Sequence, residues 1–292
     1  MAKSKSQVAS GDRISNLPDS LLQHILSLLN TKEAISTSIL SKRWTSLWIG
    51  LPTLDLDAKS FCHRRFGSFE RFVDKVLISD NDSTTIKLLR LNCVDYYYLD
   101  DRKIDGWLKA AINRKVEQIE LSVPYLFQIS VPSNIFVCSA IRVLKLHEVR
   151  IDTPLLVNLP SLKVLHLERV RFEDYKCVVK IFSGCANVEE LVLKHIVVHD
   201  LEFTNYRLLG NLLRPNVPSF LGTLKKFLVD FKGKESEFKV AMFILNNARD
   251  LRTISITSLK SQMFENISLC VRNNNSQYQK FMLDFVLLLL DS

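Results

Sequence analysis

Hydrophobic spacing predicts three short helices near the start of the chain. After Pro18, apolar residues recur at helical spacing over 21–29 and form a wide apolar stripe. Thr31 can cap a second helix, and Ser41 can cap a third whose apolar residues are Trp44, Leu47 and Trp48. Pro52 ends this helical segment, because a residue that precedes proline avoids the helical conformation.

This unit carries more apolar surface than three short helices can bury among themselves. Fewer than about 40 residues can bury little more than one face of each helix. Each large apolar side chain left in water forfeits roughly 1.5–3 kcal/mol. We therefore expect the surplus to be covered either by the domain that follows or by another protein.

A different pattern, apolar-x-x-apolar-x-apolar, recurs seven times from residue 86 to residue 256, at steps of 21 to 36 residues. Most of these steps are close to leucine-rich-repeat lengths. Each copy predicts a short strand with alternating inward and outward side chains, and stacked copies would share one core. The copies are Ile86/Leu89/Leu91, Val116/Ile119/Leu121, Ile141/Leu144/Leu146, Leu162/Leu165/Leu167, Val188/Leu191/Leu193, Leu224/Phe227/Val229 and Leu251/Ile254/Ile256.

Helical patterns lie between several of these predicted strands, over 69–77, 104–112, 175–183 and 235–248. Three middle copies also extend identically, from Leu146 to Ile151, from Leu167 to Phe172 and from Leu193 to Val198. The predicted fold class is therefore α/β: a solenoid of strand–helix repeats with the strands on its concave side.

Composition and charge restrict the function classes. The chain has 292 residues, 47% of them hydrophobic, and a net charge of +8 without a run of five like charges. We predict neither nucleic-acid binding nor membrane contact, because the charge is spread along the chain and the longest apolar run, 285–290, is too short for a bilayer. The opening segment lacks the apolar region of a signal peptide, so we expect a setting in the cytoplasm, the nucleus or both.

Motifs for catalysis or for cofactor and metal binding are missing from the sequence. No phosphate-binding glycine loop, nucleophile elbow or zinc-protease motif is present, and none of the six cysteines forms C-x-x-C. We therefore predict a protein that is not an enzyme and holds neither a cofactor nor a metal.

Residues 12–57 closely resemble the F-box motif of plant F-box/LRR and F-box/FBD/LRR proteins. The resemblance is carried by the segments DRI at 12–14, LP at 17–18, TKEA at 31–34 and LSKRW at 40–44. LPSLKVLHLERVRF at 159–172 and SGCANVEELVL at 183–193 resemble the leucine-rich repeats of the same family, and residues 218–257 resemble its FBD module.

The small and polar residues at 1–11 predict a flexible tail. The resemblance implies a three-helix F-box at 12–57, a leucine-rich-repeat region at 61–213 and an FBD-like module at 214–257. Residues 258–292 lack the ending expected of the family and form an atypical C-terminal tail.

The resemblance also implies the partners. The F-box would dock onto a Skp-family adaptor, and through it onto the cullin and RING subunits of an SCF-type E3 ubiquitin ligase. The repeats and the FBD-like module would bind a target protein whose identity the sequence does not give. The predicted adaptor contacts are Leu17, Pro18, Leu21, Leu22, Ile25, Leu26, Ile39, Leu40, Trp44 and Trp48.

Outward positions of the predicted strands would face the target, and the predicted contacts there are Arg90, Glu120, Lys145, His166, Glu190 and Lys226. Two alternatives stay open: an interaction scaffold that binds the adaptor without forming a ligase, and a degenerate member of the family with an incomplete target-binding surface.

Overall fold

The computed structural model describes residues 13–61, 67–78, 84–96, 99–125, 129–198, 219–231, 244, 248, 250–258 and 267–270. The predicted tail at 1–11, most of the predicted helix at 235–248 and most of the segment 258–292 lie outside the described residues.

The N-terminal segment folds around a small core of its own. It contains helices α1 (Asp19–Leu26), α2 (Thr31–Ser36) and α3 (Lys42–Leu47), with a 3-10 turn at Thr37–Ile39. The buried residues of this core come from all three helices and from the turn that follows α3: Leu22, Leu26, Ala34, Trp44, Leu47 and Leu51.

The predicted cap of α2 is wrong by one residue. Asn30 is the N-cap, and its Oδ1 accepts a hydrogen bond from the backbone N–H of Glu33 at 2.9 Å. Thr31 is instead buried, and its hydroxyl accepts the backbone N–H of Asp55 at 2.7 Å. Thr31 therefore ties the helical segment to the first strand of the sheet.

Nine strands form the main sheet, in the order β1-β2-β3-β4-β6-β8-β10-β11-β12. Every pair is parallel except β11 with β12, which is antiparallel. Strand β1 precedes the first predicted copy of the repeat pattern. The strands are β1 (Thr53–Asp57), β2 (Leu88–Asn92), β3 (Gln118–Ser122), β4 (Val143–His147), β6 (Val164–Glu168), β8 (Glu190–Lys194), β10 (Lys226–Phe231), β11 (Thr253–Ser258) and β12 (Ile267–Cys270).

The extensions of the three middle copies form a second, parallel sheet of two-residue strands: β5 (Arg150–Ile151), β7 (Arg171–Phe172) and β9 (Val197–Val198). A corner residue with positive φ joins each long strand to its short one: Glu148 (64°), Arg169 (52°) and His195 (52°). A non-glycine residue in this conformation costs about 1–2 kcal/mol. The same backbone turn thus recurs in three successive repeats.

Strands β1, β2, β3, β4 and β6 bury every second side chain, as the alternation predicts, whereas β8 also buries Val192. Leu54 and Leu56 of β1, the paired leucines of β4 and β6, and Phe227 of β10 belong to one continuous core. The main helices that pack beside these strands are α4 (Ser68–Leu77), α5 (Asp101–Asn113) and α6 (Tyr175–Ser183). Asp74 joins α4 to α5 by accepting hydrogen bonds from Trp107 Nε1 at 2.7 Å and Lys103 Nζ at 2.6 Å.

Two glycines give a matched test of this packing. A Cβ at Gly106, inside α5, would meet no atom within 4 Å, so Gly106→Ala is expected to raise the free energy of unfolding by about 0.5–1 kcal/mol. A Cβ at Gly184 would lie 2.3 Å from Val157 Cγ1 and 2.5 Å from the Val157 carbonyl oxygen. Gly184→Ala is therefore expected to lower the free energy of unfolding by about 1–3 kcal/mol. Urea unfolding measures both, and shifts of equal sign would contradict the packing.

Candidate functional site

Exposed apolar side chains cover the outer face of α1 and the turn that follows it. Leu21, Ile25 and Leu28 follow one another at i, i+4 and i+7, and they are 49%, 41% and 76% exposed. Ile39 (90%) and Leu40 (63%), between α2 and α3, are exposed as well. Side chains of this size are usually buried in a soluble protein, so their grouping on one short segment is typical of an interaction surface.

This surface faces away from the sheet because α2 and the end of α3 make the contacts with it. Ile35 and Trp48 pack against the main core. Lys32 donates to the Ser60 carbonyl oxygen and lies 4.5 Å from the centroid of the Phe61 ring. The inner face of α1 packs on the small N-terminal core, which leaves its outer face uncovered among the described residues.

Arg43 positions the segment that leads into α1. Its guanidinium donates to the Ser15 carbonyl oxygen at 2.6 Å, to the Leu17 carbonyl oxygen at 2.5 Å and to the Asp19 carboxylate at 2.7 Å. Five donors in a fixed fork allow arginine to bridge three groups at once. Arg43 therefore fixes the first turn of α1, on which the exposed residues depend.

The structure separates the ten predicted adaptor contacts into two groups. Pro18, Leu21, Ile25, Ile39 and Leu40 are exposed. The others lie inward: Leu22, Leu26 and Trp44 are buried in the small core, and Leu17 and Trp48 are partly buried against it. The three buried residues present almost no surface, so we remove them from the predicted contacts and assign them to the packing of the helices.

Sequence reasoning omitted three exposed apolar residues. Ile14 (55%), Leu28 (76%) and Leu29 (38%) add to the same segment, although none was among the ten predicted contacts. The signal for Leu28 and Leu29 was the width of the apolar stripe over 21–29, which exceeds what one buried helix face requires.

Outward side chains of the parallel strands form rows across the sheet, because the strands pair in register. The middle row runs Asp55, Arg90, Glu120, Lys145, His166. Its charges pair with one another: Arg90 lies 3.0 Å from Asp55 and 2.7 Å from Glu120, and Lys145 lies 2.8 Å from Glu120. Positive and negative groups thus alternate over four strands.

These contacts favour the charged forms of Arg90 and Glu120. The hydrogen bond to Glu120 raises the pKa of Arg90. Burial alone would raise the pKa of Glu120, but hydrogen bonds from Lys145 and Arg90 outweigh burial and lower it. Arg90 and Glu120 are therefore both ionised at neutral pH.

The other predicted target-facing residues form a second group on the same face. His166 Nε2 and Lys226 Nζ each lie 2.9 Å from Glu190 Oε1. His166 contacts Glu190 diagonally, since its register partner on β8 is Val192. All six predicted residues therefore lie on one face of the sheet, in two paired groups.

We expect His166 to be neutral at pH 7 and to make stability depend on pH. Burial lowers its pKa below 6.5; the hydrogen bond to Glu190 raises it, and Lys145 and Lys226 lower it further. Between its folded pKa and about 6.5 the unfolded state binds more protons, so the free energy of unfolding falls as pH falls through this window.

An NMR titration of the His166 imidazole checks this prediction. Glu190→Gln is expected to lower the pKa further, because it removes the opposing negative charge, and Lys226→Gln is expected to raise it. A folded pKa above 6.5 in the unaltered protein would contradict the prediction.

The side of the main sheet that carries these outward side chains is called the strand face below. A cavity of about 490 Å³ opens on it over β2, β3, β4 and β6. Polar side chains of the middle row line one side of it, and the last outward residues of the strands line the other. The lining residues are Arg90, Asn92, Val94, Glu120, Leu121, Ser122, Lys145, Leu146, His147, His166 and Glu168.

Among the residues that the structure describes, no three His, Cys, Asp or Glu side chains group closely enough to hold a metal ion. Within the same ranges, no helix is long and apolar enough to cross a bilayer. His195 lies 3.3 Å from Asp230 at the corner after β8, whereas His199 lies outside the described residues.

Three family models match successive parts of the chain. The F-box domain model matches residues 14–54, the model for the LRR repeats of FBD-associated F-box protein At5g56370 matches 104–216, and the FBD model matches 216–256.

The chain is similar to relatives from Arabidopsis thaliana that are named for F-box and LRR modules. F-box/LRR-repeat protein 13 is 34% identical over 245 residues, which is 80% of this chain and 54% of the relative. F-box/FBD/LRR-repeat protein At2g26030 is 36% identical over 199 residues, 66% of this chain and 43% of the relative. The chain thus spans about half the length of the curated relatives it matches.

Proposed function

We propose, on the premise that the chain belongs to the plant F-box/FBD/LRR-repeat family, that it is the target-binding subunit of an SCF-type E3 ubiquitin ligase. The F-box would bind a Skp-family adaptor, and the repeats with the FBD-like module would bind the target. The chain itself would be non-catalytic, and the ligase would act in the cytoplasm, the nucleus or both.

The observation that carries this proposal is the exposed apolar surface on α1 and at Ile39 and Leu40. Helices that present an apolar face to a groove are a recurring form of protein recognition. An adaptor that covers these side chains would regain the free energy lost by their exposure to water, about 1.5–3 kcal/mol for each large residue fully buried.

The strand face supports the second half of the proposal. We propose that the parallel strands and their helices form a leucine-rich-repeat solenoid, in which the F-box spans 12–57, the repeats 61–213 and the FBD-like module 214–257. The outward residues Arg90, Glu120, Lys145, His166, Glu190 and Lys226 would lie on the target-binding side.

Such a subunit accelerates ubiquitin transfer by proximity. Binding the target and the adaptor at the same time raises the effective concentration of a target lysine near the charged enzyme. The chain needs no reactive group for this role, in keeping with the absence of a known catalytic motif from its sequence.

The first experiment combines the full chain with a recombinant Skp-family adaptor and follows the complex by size-exclusion chromatography with light scattering. A complex with one copy of each protein is the expected result. Separate elution of both proteins at concentrations near 10 μM, where an affinity of about 8 kcal/mol or better gives a stable complex, would overturn the proposal.

The second experiment distinguishes a ligase subunit from a scaffold. Cullin, RING, the ubiquitin-activating enzyme and the ubiquitin-conjugating enzyme are added to the adaptor complex, and ubiquitin conjugates on captured proteins are measured. A complex that recruits cullin and RING without producing conjugates would favour the scaffold.

A further inference from the structure

We propose that the strand face binds an extended segment of a target protein through two basic side chains of that segment. The binding groups are the carboxylates of Asp57 on β1 and Glu168 on β6, which belong to the row formed by the last outward residue of each strand. This inference rests on the proposed function, because it names the class of target that the strand face would hold.

The middle row of charges is already compensated. Arg90 contacts both Asp55 and Glu120, and Lys145 contacts Glu120, all within 3.0 Å. A charged group of a partner could bind here only by breaking one of these ion pairs. The free energy lost with the broken pair would offset the free energy gained from the new contact. The middle row therefore shapes one side of the cavity and contributes little net attraction for either sign of charge.

The last row differs. From β1 to β6 it runs Asp57, Asn92, Ser122, His147, Glu168 in register, and it continues with Lys194 on β8 and Asp230 on β10. Within the described residues, the Asp57 carboxylate accepts one backbone N–H, from Lys59 at 3.0 Å, and has no cation within 4 Å. Glu168 lies 3.9 Å from both His147 and Lys194, beyond hydrogen-bond distance. Two carboxylates thus retain unused acceptor capacity.

The charge of this part of the face selects a basic partner. The outward positions of β1, β2, β3, β4 and β6 carry the carboxylates Asp55, Asp57, Glu120 and Glu168 against the cations Arg90 and Lys145. The whole chain carries a net charge of +8, so this excess of negative charge is local. Local negative potential attracts cationic side chains and repels nucleic acid.

The groups between the two carboxylates suit a polypeptide backbone. Asn92, Ser122 and His147 supply an amide, a hydroxyl and an imidazole, which can both donate to and accept from peptide groups. Four strand intervals of about 4.8 Å separate Asp57 from Glu168, so the two carboxylates lie about 19 Å apart along the row. Six residues of extended chain span the same length, at about 3.3 Å per residue.

The test uses equilibrium dialysis with the full chain and a radiolabelled heptapeptide, acetyl-Arg-Ser-Ala-Ser-Ala-Ser-Arg-amide. We expect it to bind at least about tenfold more tightly than the same peptide with Gln at both ends, because Gln cannot form charge-assisted hydrogen bonds with the two carboxylates. Asp57→Asn and Glu168→Gln are each expected to weaken its binding at least about fivefold and to leave the Gln peptide unaffected.

Two further variants make the experiment specific. Glu117→Gln changes a carboxylate of similar exposure, 44% against 41% for Glu168, outside the cavity, and is expected to leave binding within about twofold. Glu168→Lys is expected to reverse the preference, so that a peptide with Arg at one end and Glu at the other binds more tightly than the doubly basic one.

Equal binding of the Arg and Gln peptides, or unchanged binding by Glu168→Gln, would overturn the inference. The same preparations are tested for the adaptor complex, which none of these substitutions is expected to alter. An intact adaptor complex with no peptide selectivity would refute this inference alone, whereas loss of the adaptor complex in the unaltered chain would refute the proposed function.

Discussion

The double substitution Ile39→Asp and Leu40→Asp is expected to weaken adaptor binding at least a hundredfold, with little effect on the melting temperature. These side chains are 90% and 63% exposed, so the folded chain has little to lose when they change. In a complex each would forfeit about 1.5–3 kcal/mol of apolar burial, and a buried carboxylate adds a desolvation cost. A loss of about 3 kcal/mol already exceeds a hundredfold in affinity.

Leu155 and Leu156 provide the matched control. They form another adjacent apolar pair, 97% and 63% exposed, far from the F-box in sequence. Leu155→Asp with Leu156→Asp introduces the same charge at nearly the same exposure, and adaptor affinity measured by calorimetry should remain within about twofold. Equal losses of adaptor affinity in both double variants would show that the effect comes from added charge or from misfolding. That result would contradict the assignment of Ile39 and Leu40 to the adaptor contact.

The second large effect is expected inside the F-box. Leu22 is fully buried in a core of six residues, so Leu22→Ala should lower the free energy of unfolding of this segment by about 3–5 kcal/mol. A core this small has few neighbouring side chains that could move into the cavity. The loss should appear as early unfolding of the N-terminal helices in hydrogen exchange.

Added adaptor separates this variant from the surface variant. A partner that binds only the folded F-box stabilises it by mass action, by about 2.7 kcal/mol at one hundred times the dissociation constant. Excess adaptor should therefore raise the protection of the N-terminal helices in Leu22→Ala, whereas it should leave the protection of the Ile39→Asp and Leu40→Asp variant unchanged, because that variant no longer binds the adaptor. Leu21→Ala, at a 49% exposed neighbour, should leave protection unchanged, and a loss as large as that of Leu22→Ala would contradict the assigned faces of α1.

The repeat pattern predicted most of the sheet because each strand carries its own signal. An inward pair such as Leu144 and Leu146, two residues apart, fixes both the strand and its buried face. Strand β1 was missed although Leu54 and Leu56 show the same alternation. Strand β1 directly follows Pro52 and therefore lies in the segment that resembles the F-box, where we predicted helices. Its parallel partner, β2, begins 35 residues later, so no local signal indicated that the two strands pair.

The candidate site was predicted less completely, for a physical reason. In α1 the residues Leu21, Leu22, Ile25 and Leu26 make a stripe that is wider than one face, and spacing alone does not decide which half is buried. Only the packing of α1 against Trp44 and Leu47 settles that Leu22 and Leu26 lie inside.

Alternation correctly placed the polar residues on one side of the strands, but their partners depend on tertiary register. The diagonal contact of His166 with Glu190 illustrates this, because the residue directly opposite His166 is Val192. The compensation of the middle row, and the unused acceptor capacity of Asp57 and Glu168, could likewise not be derived from sequence spacing.

The unbroken passage of the main sheet from β1 to β11 makes the distance between the two ends of the molecule a function of strand number. Each parallel strand adds about 4.8 Å, so the gain or loss of one repeat would shift a bound target by that increment relative to the adaptor. Under the proposed function, the gain or loss of repeats would therefore change the reach between a target lysine and the ubiquitin donor in discrete steps, without altering the exposed apolar surface of the N-terminal helices.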